Sequence, residues 1–208
     1  MSCMSFKDLS LDQIRAALKR PLPGLAAQIK LAPEYRIASL KAEPPANARP
    51  AGVLILLYPH NGEWYFPLMK RVEDGLVHSG QISLPGGSQE EGESLRETAL
   101  REASEEIGVT CDEVIGELST IYIPPSNFLV TPTVGCVDHR PEFQLDSREV
   151  AELIEVPLTT LFDPNVVKRE PWTLRGMQVD VPFYQIGPHK VWGATAMILS
   201  ELGMVLAE

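Results

Sequence analysis

A short glutamate-rich helix between residues 95 and 107 constrains this chain more than any other feature of its sequence. Ser94 followed by Glu97 is typical of a capping box, in which each side chain accepts a hydrogen bond from the other residue's backbone N–H. Gly108 stands where a left-handed C-terminal cap is favoured. Glu97 and Arg101, four residues apart, are also spaced for an ion pair. Both ends of the helix are therefore specified locally.

The helix carries an acidic stripe beside an apolar one. At about 100° per residue, Glu102, Glu105 and Glu106 fall within one narrow arc. The adjacent arc, which can face a core, is formed by Ala99, Leu100, Ala103 and Ile107. Carboxylates three and four residues apart repel one another and destabilise the helix unless a cation lies between them. Because carboxylate oxygens are hard ligands, the stripe predicts a Mg²⁺ or Mn²⁺ site.

An acidic helix can also be an ordinary solvated face, since glutamate is a strong helix former. The residues around this helix favour the metal site instead. They follow the order Gly87, Glu93, Arg101-Glu102, Glu105-Glu106 and Gly108, with the spacing of the Nudix box. The chain therefore resembles the Nudix hydrolase family, with Ala103 at a position where that family usually has a larger aliphatic residue.

The resemblance implies a fold and a reaction. The expected fold class is α/β (α+β), with a mixed β-sheet sandwiched between helices. The expected reaction is attack of water on a phosphorus atom of a pyrophosphate, assisted by one to three Mg²⁺ or Mn²⁺ ions. Glu102, Glu105 and Glu106 would hold the metal, Arg101 would orient a box glutamate, and Glu93 would support the metal shell or the junction of loop and helix.

Two further assignments concern residues outside the helix. Gly86 and Gly87 let the backbone come close to a ligand, and the Gly86 carbonyl could supply a metal ligand. The general base differs among branches of the family, and the candidates are Glu105 and, from outside the box, Glu149.

Segments on both sides of the box are similar to the coenzyme A pyrophosphatase branch of the family. That branch usually has an arginine where this chain has Leu76, and an arginine would bind phosphates through paired hydrogen bonds. Lys70, Arg71 or Lys190 could substitute for it, so Lys70 and Arg71 are predicted substrate contacts together with Gly87 and Glu93. His78 is interpreted as a hydrogen-bonding loop residue. The similar segments are Lys70-Arg71, His78, Gly80 to Ser83 and Pro85 to Gly87 upstream, and Asn127 to Pro132, Val134-Gly135, Glu149 to Glu152, Val156 to Leu158 and Val191 to Ala196 downstream.

The implied substrate is coenzyme A or a derivative, cleaved to 4'-phosphopantetheine and adenosine 3',5'-bisphosphate. Two alternatives remain open at this point. One is a Nudix enzyme for ADP-ribose or another dinucleotide, and the other is a noncatalytic module that senses a nucleotide. Such modules typically lose box carboxylates, and this box keeps all of them.

The charge of the chain argues against polyanionic partners. The formal net charge is −10, and residues 86–109 contain seven glutamates against two arginines. Nucleic acid and anionic membranes require a basic surface, so neither is expected as a partner.

The chain has no run of 18 apolar residues and no apolar leader, and its three cysteines are scattered. These features predict a soluble cytoplasmic protein with reduced thiols.

Two domain segments are predicted. Residues 1–48 form a helical extension and linker, in which a homodimer contact is left open, and residues 49–208 form the Nudix domain. Asn61-Gly62 predicts a hairpin between two strands. Residues 114–123 are expected to form one strand, residues 147–156 either a helix or a strand, and a C-terminal helix from Ala194 is expected to stop at Gly203. The remaining strands are expected at residues 81–84, 128–137, 172–175 and 178–185, and the last two are expected to form a hairpin around Gly176.

Overall fold

The computed structural model describes residues 9–73, 80–174 and 176–207, and within them eight strands form one mixed β-sheet. The strand order is β3-β2-β1-β7-β5, with β4 paired to β1, β6 to β7 and β8 to β2. β1 and β7 are parallel, and the other pairs are antiparallel. The strands are β1 (Arg49–His60), β2 (Glu63–Arg71), β3 (Ile82–Ser83), β4 (Gly86–Ser88), β5 (Glu113–Glu117), β6 (Ile121–Ile123), β7 (Phe128–Cys136) and β8 (Val150–Pro157).

Helices cover both faces of this sheet, as predicted. Leu54, Leu56 and Tyr58 of β1 pack toward α4, while Ile55 and Leu57 face the opposite core with α1 and α5. This alternation follows from the two-residue period of a strand, and it gives the sheet two separate apolar cores. The helices are α1 (Leu11–Leu18), α2 (Leu25–Gln28), α3 (Ile37–Lys41), α4 (Leu95–Ile107) and α5 (Gly193–Ala207), with short 3₁₀ turns at Ile29–Leu31, Glu34–Arg36, Leu158–Phe162 and Pro164–Val166. Among the described residues, no helix is long and apolar enough to cross a membrane.

The ends of α4 agree with the prediction. Ser94 Oγ accepts a hydrogen bond from the Glu97 N–H, Glu97 accepts one from the Ser94 N–H, and Gly108 ends the helix with φ of 71°. The predicted pairing of Glu97 with Arg101 was wrong. The Glu97 carboxylate is hydrogen-bonded to Ser94 in the capping box. Arg101 instead forms ion pairs with Glu93, Glu102 and Glu105.

The N-terminal helices pack against α5, and a buried carboxylate connects the two. Glu201 is fully buried and accepts hydrogen bonds from the Gly24 N–H at 3.1 Å, the Ser119 N–H at 3.2 Å and the Gln28 side chain at 3.0 Å. Ser200 donates to the Ala27 carbonyl at 2.8 Å. The division at residue 48 remains a prediction, but the described part of the extension shares a core with the rest of the chain.

A second, three-stranded sheet follows β8. It consists of β9 (Val167–Leu174), β10 (Met177–Ile186) and β11 (His189–Trp192), with β10 in the centre. The predicted hairpin around Gly176 is confirmed. The hairpin at Asn61-Gly62 is also confirmed, by the antiparallel register of Tyr58 with Tyr65.

The structure decides or changes three of the predicted element boundaries. Residues 147–156, predicted as either helix or strand, contain all but the last residue of the strand β8. The single strand predicted for residues 114–123 is divided into β5 and β6, both paired with β7. The predicted stop at Gly203 was wrong, because α5 continues through it to Ala207 while Val205 and Leu206 are buried against the core. A glycine costs a helix about 1 kcal/mol relative to alanine, which burial of two large side chains can offset.

Candidate active site

The glycine strand β4 lies directly beside α4. Its pairing with β1 places Gly87 opposite Gly52 and Gly86 opposite Val53. The Gly86 N–H donates a hydrogen bond of 2.8 Å to Oε2 of Glu106. A Cβ atom on Gly87 would lie 2.5 Å from the Glu102 carboxyl group. Two of the box carboxylates therefore rest against the backbone of β4, which is possible only because no side chain fills that space.

Arg101 joins the other parts of the box. Its Nε and Nη2 donate to the two oxygens of Glu93 at 3.1 and 2.9 Å, and its Nη1 donates to Glu102 at 2.9 Å and to Glu105 at 3.0 Å. A further Nη2 bond of 3.2 Å reaches the Ser88 carbonyl. These contacts use all five N–H donors of a guanidinium group. Arg101 thereby fixes the orientation of Glu102 and Glu105 relative to β4.

Glu93 is itself held from several directions. Its Oε1 accepts hydrogen bonds of 2.8 Å from both the Glu90 N–H and the Thr98 hydroxyl. The paired bond from Arg101 and the Glu90 N–H lower the pKa of the Glu93 carboxyl to about 2. Glu93 thus stays ionised and connects the loop after β4 to the first turns of α4. Thr98, which is fully buried, is a supporting residue that sequence reasoning missed, although it lies within the box.

Two residues from outside the box reach the same place. Arg71, at the end of β2, donates to Oε1 of Glu106 at 3.1 Å, and its Nη2 lies 3.5 Å from Oε2 of Glu149. The Glu149 backbone is tied to α4 through Asp146, whose carbonyl accepts from the Glu149 N–H and whose N–H donates to the Glu106 carbonyl at 2.9 Å. No sequence pattern pointed to Asp146. The structure therefore brings Arg71 and Glu149 to the buried end of the acidic stripe.

Burial changes the proton affinity of the stripe. Glu106 is 2% exposed, and this burial raises the pKa of its carboxyl group to about 7, against the effects of the Gly86 N–H and Arg71. Burial also raises the pKa of Glu102, while Arg101 acts in the opposite direction. The negative charge of Glu149 contributes to both increases, so Glu149 lies within electrostatic range of Glu102 and Glu106.

The box carboxylates are held by arginines and do not converge on one point. Among the described residues, the set of three acidic or histidine groups with donor atoms within 4.8 Å of one another is Asp112, Asp138 and His139, all of them exposed. The box nevertheless fits a hard divalent cation in its chemistry. Its donors are carboxylate oxygens backed by a glycine backbone, and the buried oxygens of Glu106 favour the presence of a compensating positive charge.

The other predicted substrate contacts are placed differently. Within the described ranges, Lys70 forms its ion pair with Glu73, at 3.4 Å, and not with a box glutamate, and the pairing of β2 with β8 is irregular between Lys70 and Arg71. Lys190 is engaged with Glu170 and lies 5.7 Å from the Trp172 ring centre. Leu76 and His78 lie outside the described residues. Of the cations proposed to replace the missing arginine, Arg71 is the one that the structure places at the acidic stripe.

An acidic helix packed on a glycine strand, with hard oxygen donors at their junction, defines a hydrolase of the kind that works with divalent cations. Residues 48–175, more than half of the chain, match the NUDIX domain. The chain belongs to the Nudix hydrolase family, whose members generally use divalent metals and act on small molecules.

Relatives in sequence carry the same family name. An uncharacterized Nudix hydrolase NudL of Pectobacterium atrosepticum is 33% identical over 193 residues, covering 87% of this chain and 91% of its own. A NudL of Yersinia enterocolitica is 34% identical over 165 residues, covering 76% of this chain and 81% of its own.

Solved Nudix structures are more distant. The Ap4A hydrolase of C. elegans is 18% identical with a TM-score of 0.46, covering 53% of this chain and 80% of its own. The NUDIX domain of Shewanella oneidensis NrtR, complexed with ADP ribose, is 19% identical with a TM-score of 0.46, covering 62% of this chain and 86% of its own.

Proposed function

We propose that this Nudix pyrophosphohydrolase cleaves the diphosphate of coenzyme A or its derivatives, releasing 4'-phosphopantetheine and adenosine 3',5'-bisphosphate. One observation carries the proposal. Arg71 and Glu149 belong to the two segments that resemble the coenzyme A branch, one before the box and one after it, and Arg71 lies 3.1 Å from Glu106 and 3.5 Å from Glu149. These contacts support the proposal that both segments contribute to one site.

The proposed ligands of a divalent cation are Glu102, Glu105, Glu106 and the Gly86 carbonyl. When bound, Mg²⁺ or Mn²⁺ would neutralise negative charge on the diphosphate and promote ionisation of the attacking water. Arg101 orients Glu102 and Glu105 for this task. Glu93 keeps Arg101 in place through its paired hydrogen bonds, so its role is to position other residues. Gly87 would let the substrate approach the backbone of β4.

Glu149 is the proposed general base. Its side chain is 50% exposed, so it can exchange protons with solvent, and its backbone is anchored to the end of α4 through Asp146. In the proposed step, water forms a bond to one phosphorus atom while Glu149 accepts its proton. The bond between that phosphorus and the bridging oxygen then breaks, and the bridging oxygen leaves with the other phosphate. Glu105 is the alternative base, but it is already assigned to the metal and accepts a hydrogen bond of 3.0 Å from Arg101.

A substrate panel tests the assignment. The protein would be incubated with Mg²⁺ or Mn²⁺ and, separately, with coenzyme A, an acyl derivative, oxidised coenzyme A, ADP-ribose and a dinucleoside polyphosphate, and kcat/KM would be compared. We expect the highest value for a member of the coenzyme A group. If ADP-ribose or the dinucleotide turns over as fast as coenzyme A, the coenzyme A assignment is refuted while the pyrophosphohydrolase assignment stands.

A variant in the box separates catalysis from nucleotide sensing. Glu106→Gln keeps the size of the side chain and an oxygen for the Gly86 N–H, but it removes the negative charge. We expect kcat to fall at least about 10³-fold with the fold intact. No turnover of any panel member by the wild type, combined with tight nucleotide binding, would favour the noncatalytic module.

A further inference from the structure

The two arginines at the acidic stripe are held very differently. Arg101 uses all five of its N–H donors and is 24% exposed. The Arg71 side chain makes one hydrogen bond with the described residues, to Glu106, and one longer ion pair of 3.5 Å with Glu149. Its side chain is 31% exposed, and it lies at the last position of β2, where the pairing with β8 is irregular. Arg71 can therefore exchange its hydrogen-bond partners at a lower free-energy cost than Arg101.

Arg71 and the Gly86 N–H are the described hydrogen-bond donors to the Glu106 carboxylate. Oε2 of Glu106 accepts the Gly86 N–H at 2.8 Å, and Oε1 accepts Arg71 at 3.1 Å. The Gly86 N–H belongs to a strand held by its pairing with β1, whereas the Arg71 guanidinium can move away. A cation held by the Glu106 carboxylate would lie close to this guanidinium, which is permanently charged. The two positive charges repel each other, so Arg71 competes with a cation for this carboxylate.

We infer that Arg71 exchanges between Glu106 and the substrate, and so couples substrate binding to metal binding. Arg71 leaves Oε1 of Glu106 when a cation binds this carboxylate, and its guanidinium then donates to phosphate oxygens of the diphosphate. Glu149 holds the second side of the guanidinium during the exchange. Because coupling between two ligands is reciprocal, a bound diphosphate would strengthen metal binding by the same factor. The inference rests on the proposed function only in requiring a diphosphate substrate.

The test measures Mn²⁺ affinity by calorimetry or by electron paramagnetic resonance, without turnover. Wild type, Arg71→Gln and Arg71→Lys would be titrated with and without α,β-methylene ADP, a nucleoside diphosphate analogue that resists hydrolysis. Arg148→Gln is the matched control. Arg148 lies one residue from Glu149 but pairs with Asp146 and is 86% exposed, so its removal changes local charge without touching the box.

Without the analogue, we expect Arg71→Gln to bind Mn²⁺ about tenfold more tightly than wild type, since loss of one charge-assisted hydrogen bond has that order of effect. With the analogue, wild type should gain Mn²⁺ affinity and Arg71→Gln should gain much less. Arg71→Lys keeps the positive charge but loses the planar guanidinium that donates paired hydrogen bonds. Its Mn²⁺ affinities should therefore fall between those of wild type and Arg71→Gln. Arg148→Gln should behave as wild type.

A merely structural role for Arg71 predicts the opposite sign. Its loss would then loosen the site and weaken Mn²⁺ binding, with the analogue effect unchanged. Equal or weaker Mn²⁺ binding by both Arg71 variants would overturn the inference. A failure of coenzyme A in the substrate panel would not, because the coupling is measured with a different diphosphate and without catalysis.

Discussion

The buried carboxylate of Glu106 accepts a hydrogen bond of 2.8 Å from the backbone N–H of Gly86. This contact joins the last turn of the acidic helix α4 to the glycine strand β4, and it gives Glu106 a fixed orientation that the other box glutamates owe to Arg101. Glu106 is also the most buried carboxylate of the box. Ionisation of Glu106 therefore links the pH, the binding of a metal ion and the stability of the fold.

The first prediction concerns stability without metal. The pKa of Glu106 is about 7 in the folded chain against an ordinary value of 4.5, so the folded state binds more protons between these values. The stability that protonation of Glu106 contributes to the folded state is fully present below about pH 4.5 and is lost as the pH rises through 7. In EDTA, the free energy of unfolding should fall by about 1 to 3 kcal/mol between pH 5 and pH 8 through this group. Urea denaturation at several pH values measures it.

Two variants isolate that effect. Glu106→Gln should remove this part of the pH dependence and make the metal-free protein more stable at pH 8. Glu105→Gln makes the same change of charge at an exposed neighbour and should retain the dependence. Saturating Mg²⁺ should reduce the decline in wild type, because a bound cation stabilises the ionised form. An identical pH dependence in wild type and Glu106→Gln would contradict the prediction.

The second prediction separates two glycines that face each other in the sheet. A Cβ on Gly87 would meet the end of the Glu102 side chain at 2.5 Å, and that side chain can rotate away. A Cβ on Gly52 would meet the Leu95 carbonyl at 2.2 Å, and this backbone of α4 cannot move independently. Gly87→Ala should therefore lower kcat with little change in Tm. Gly52→Ala should lower Tm, because α4 must shift away from β1.

Thermal unfolding followed by circular dichroism, together with kcat at a temperature where both variants are folded, checks this pair. The two substitutions add the same methyl group to neighbouring strands, so each serves as the control for the other. Equal losses of Tm would show that the Glu102 side chain is as rigid as the helix backbone.

The sequence predicted most accurately what local chemistry determines. The bounds of α4 depend on Ser94, Glu97 and Gly108, all of which act within one turn of the helix, and they were confirmed. The contact of Arg71 with Glu106 could not be derived in this way, because it depends on the pairing of β2 with the rest of the sheet. The resemblance marked both residues for the site but gave no distance between them.

The errors have the same physical origin. Gly203 has the local character of a helix end, but burial of Val205 and Leu206 against the core outweighs its weak helix propensity. Glu201 gave no signal in the sequence, because a glutamate in an apolar helix can be buried only when distant donors are present. Those donors come from Gly24, Gln28 and Ser119, which only the tertiary structure brings together.

The third prediction follows from Glu201. Glu201→Ala would leave the Gly24 and Ser119 N–H groups and the Gln28 amide without their acceptor in a buried site. Since each buried unsatisfied group costs about 1 to 3 kcal/mol, the free energy of unfolding should fall by roughly 3 kcal/mol or more. The N-terminal helices should also become sensitive to protease. Glu201→Gln keeps one acceptor oxygen and should lose less than half as much.

Glu201 lies on the face of the sheet opposite α4, so its substitution should leave the chemistry intact. Limited proteolysis and urea denaturation would be compared with kcat measured at low temperature. A loss of kcat in folded Glu201→Ala would show that the N-terminal extension contributes to the active site. Unchanged stability would show that solvent or neighbouring groups satisfy the three donors.

The fourth prediction distinguishes the two candidate bases. Glu149→Gln removes the carboxylate that pairs with Arg71 just before β8, so kcat should fall about 10²- to 10⁴-fold, the usual contribution of a general base. Mn²⁺ affinity should change by only a few fold, since the proposed ligands remain. Glu105→Gln should instead weaken Mn²⁺ binding, and saturating Mn²⁺ should restore most of its kcat, because Glu105 is assigned to the metal. The reverse result, with kcat restored by Mn²⁺ in Glu149→Gln and not in Glu105→Gln, would assign the base to the helix and leave Glu149 the role of holding Arg71.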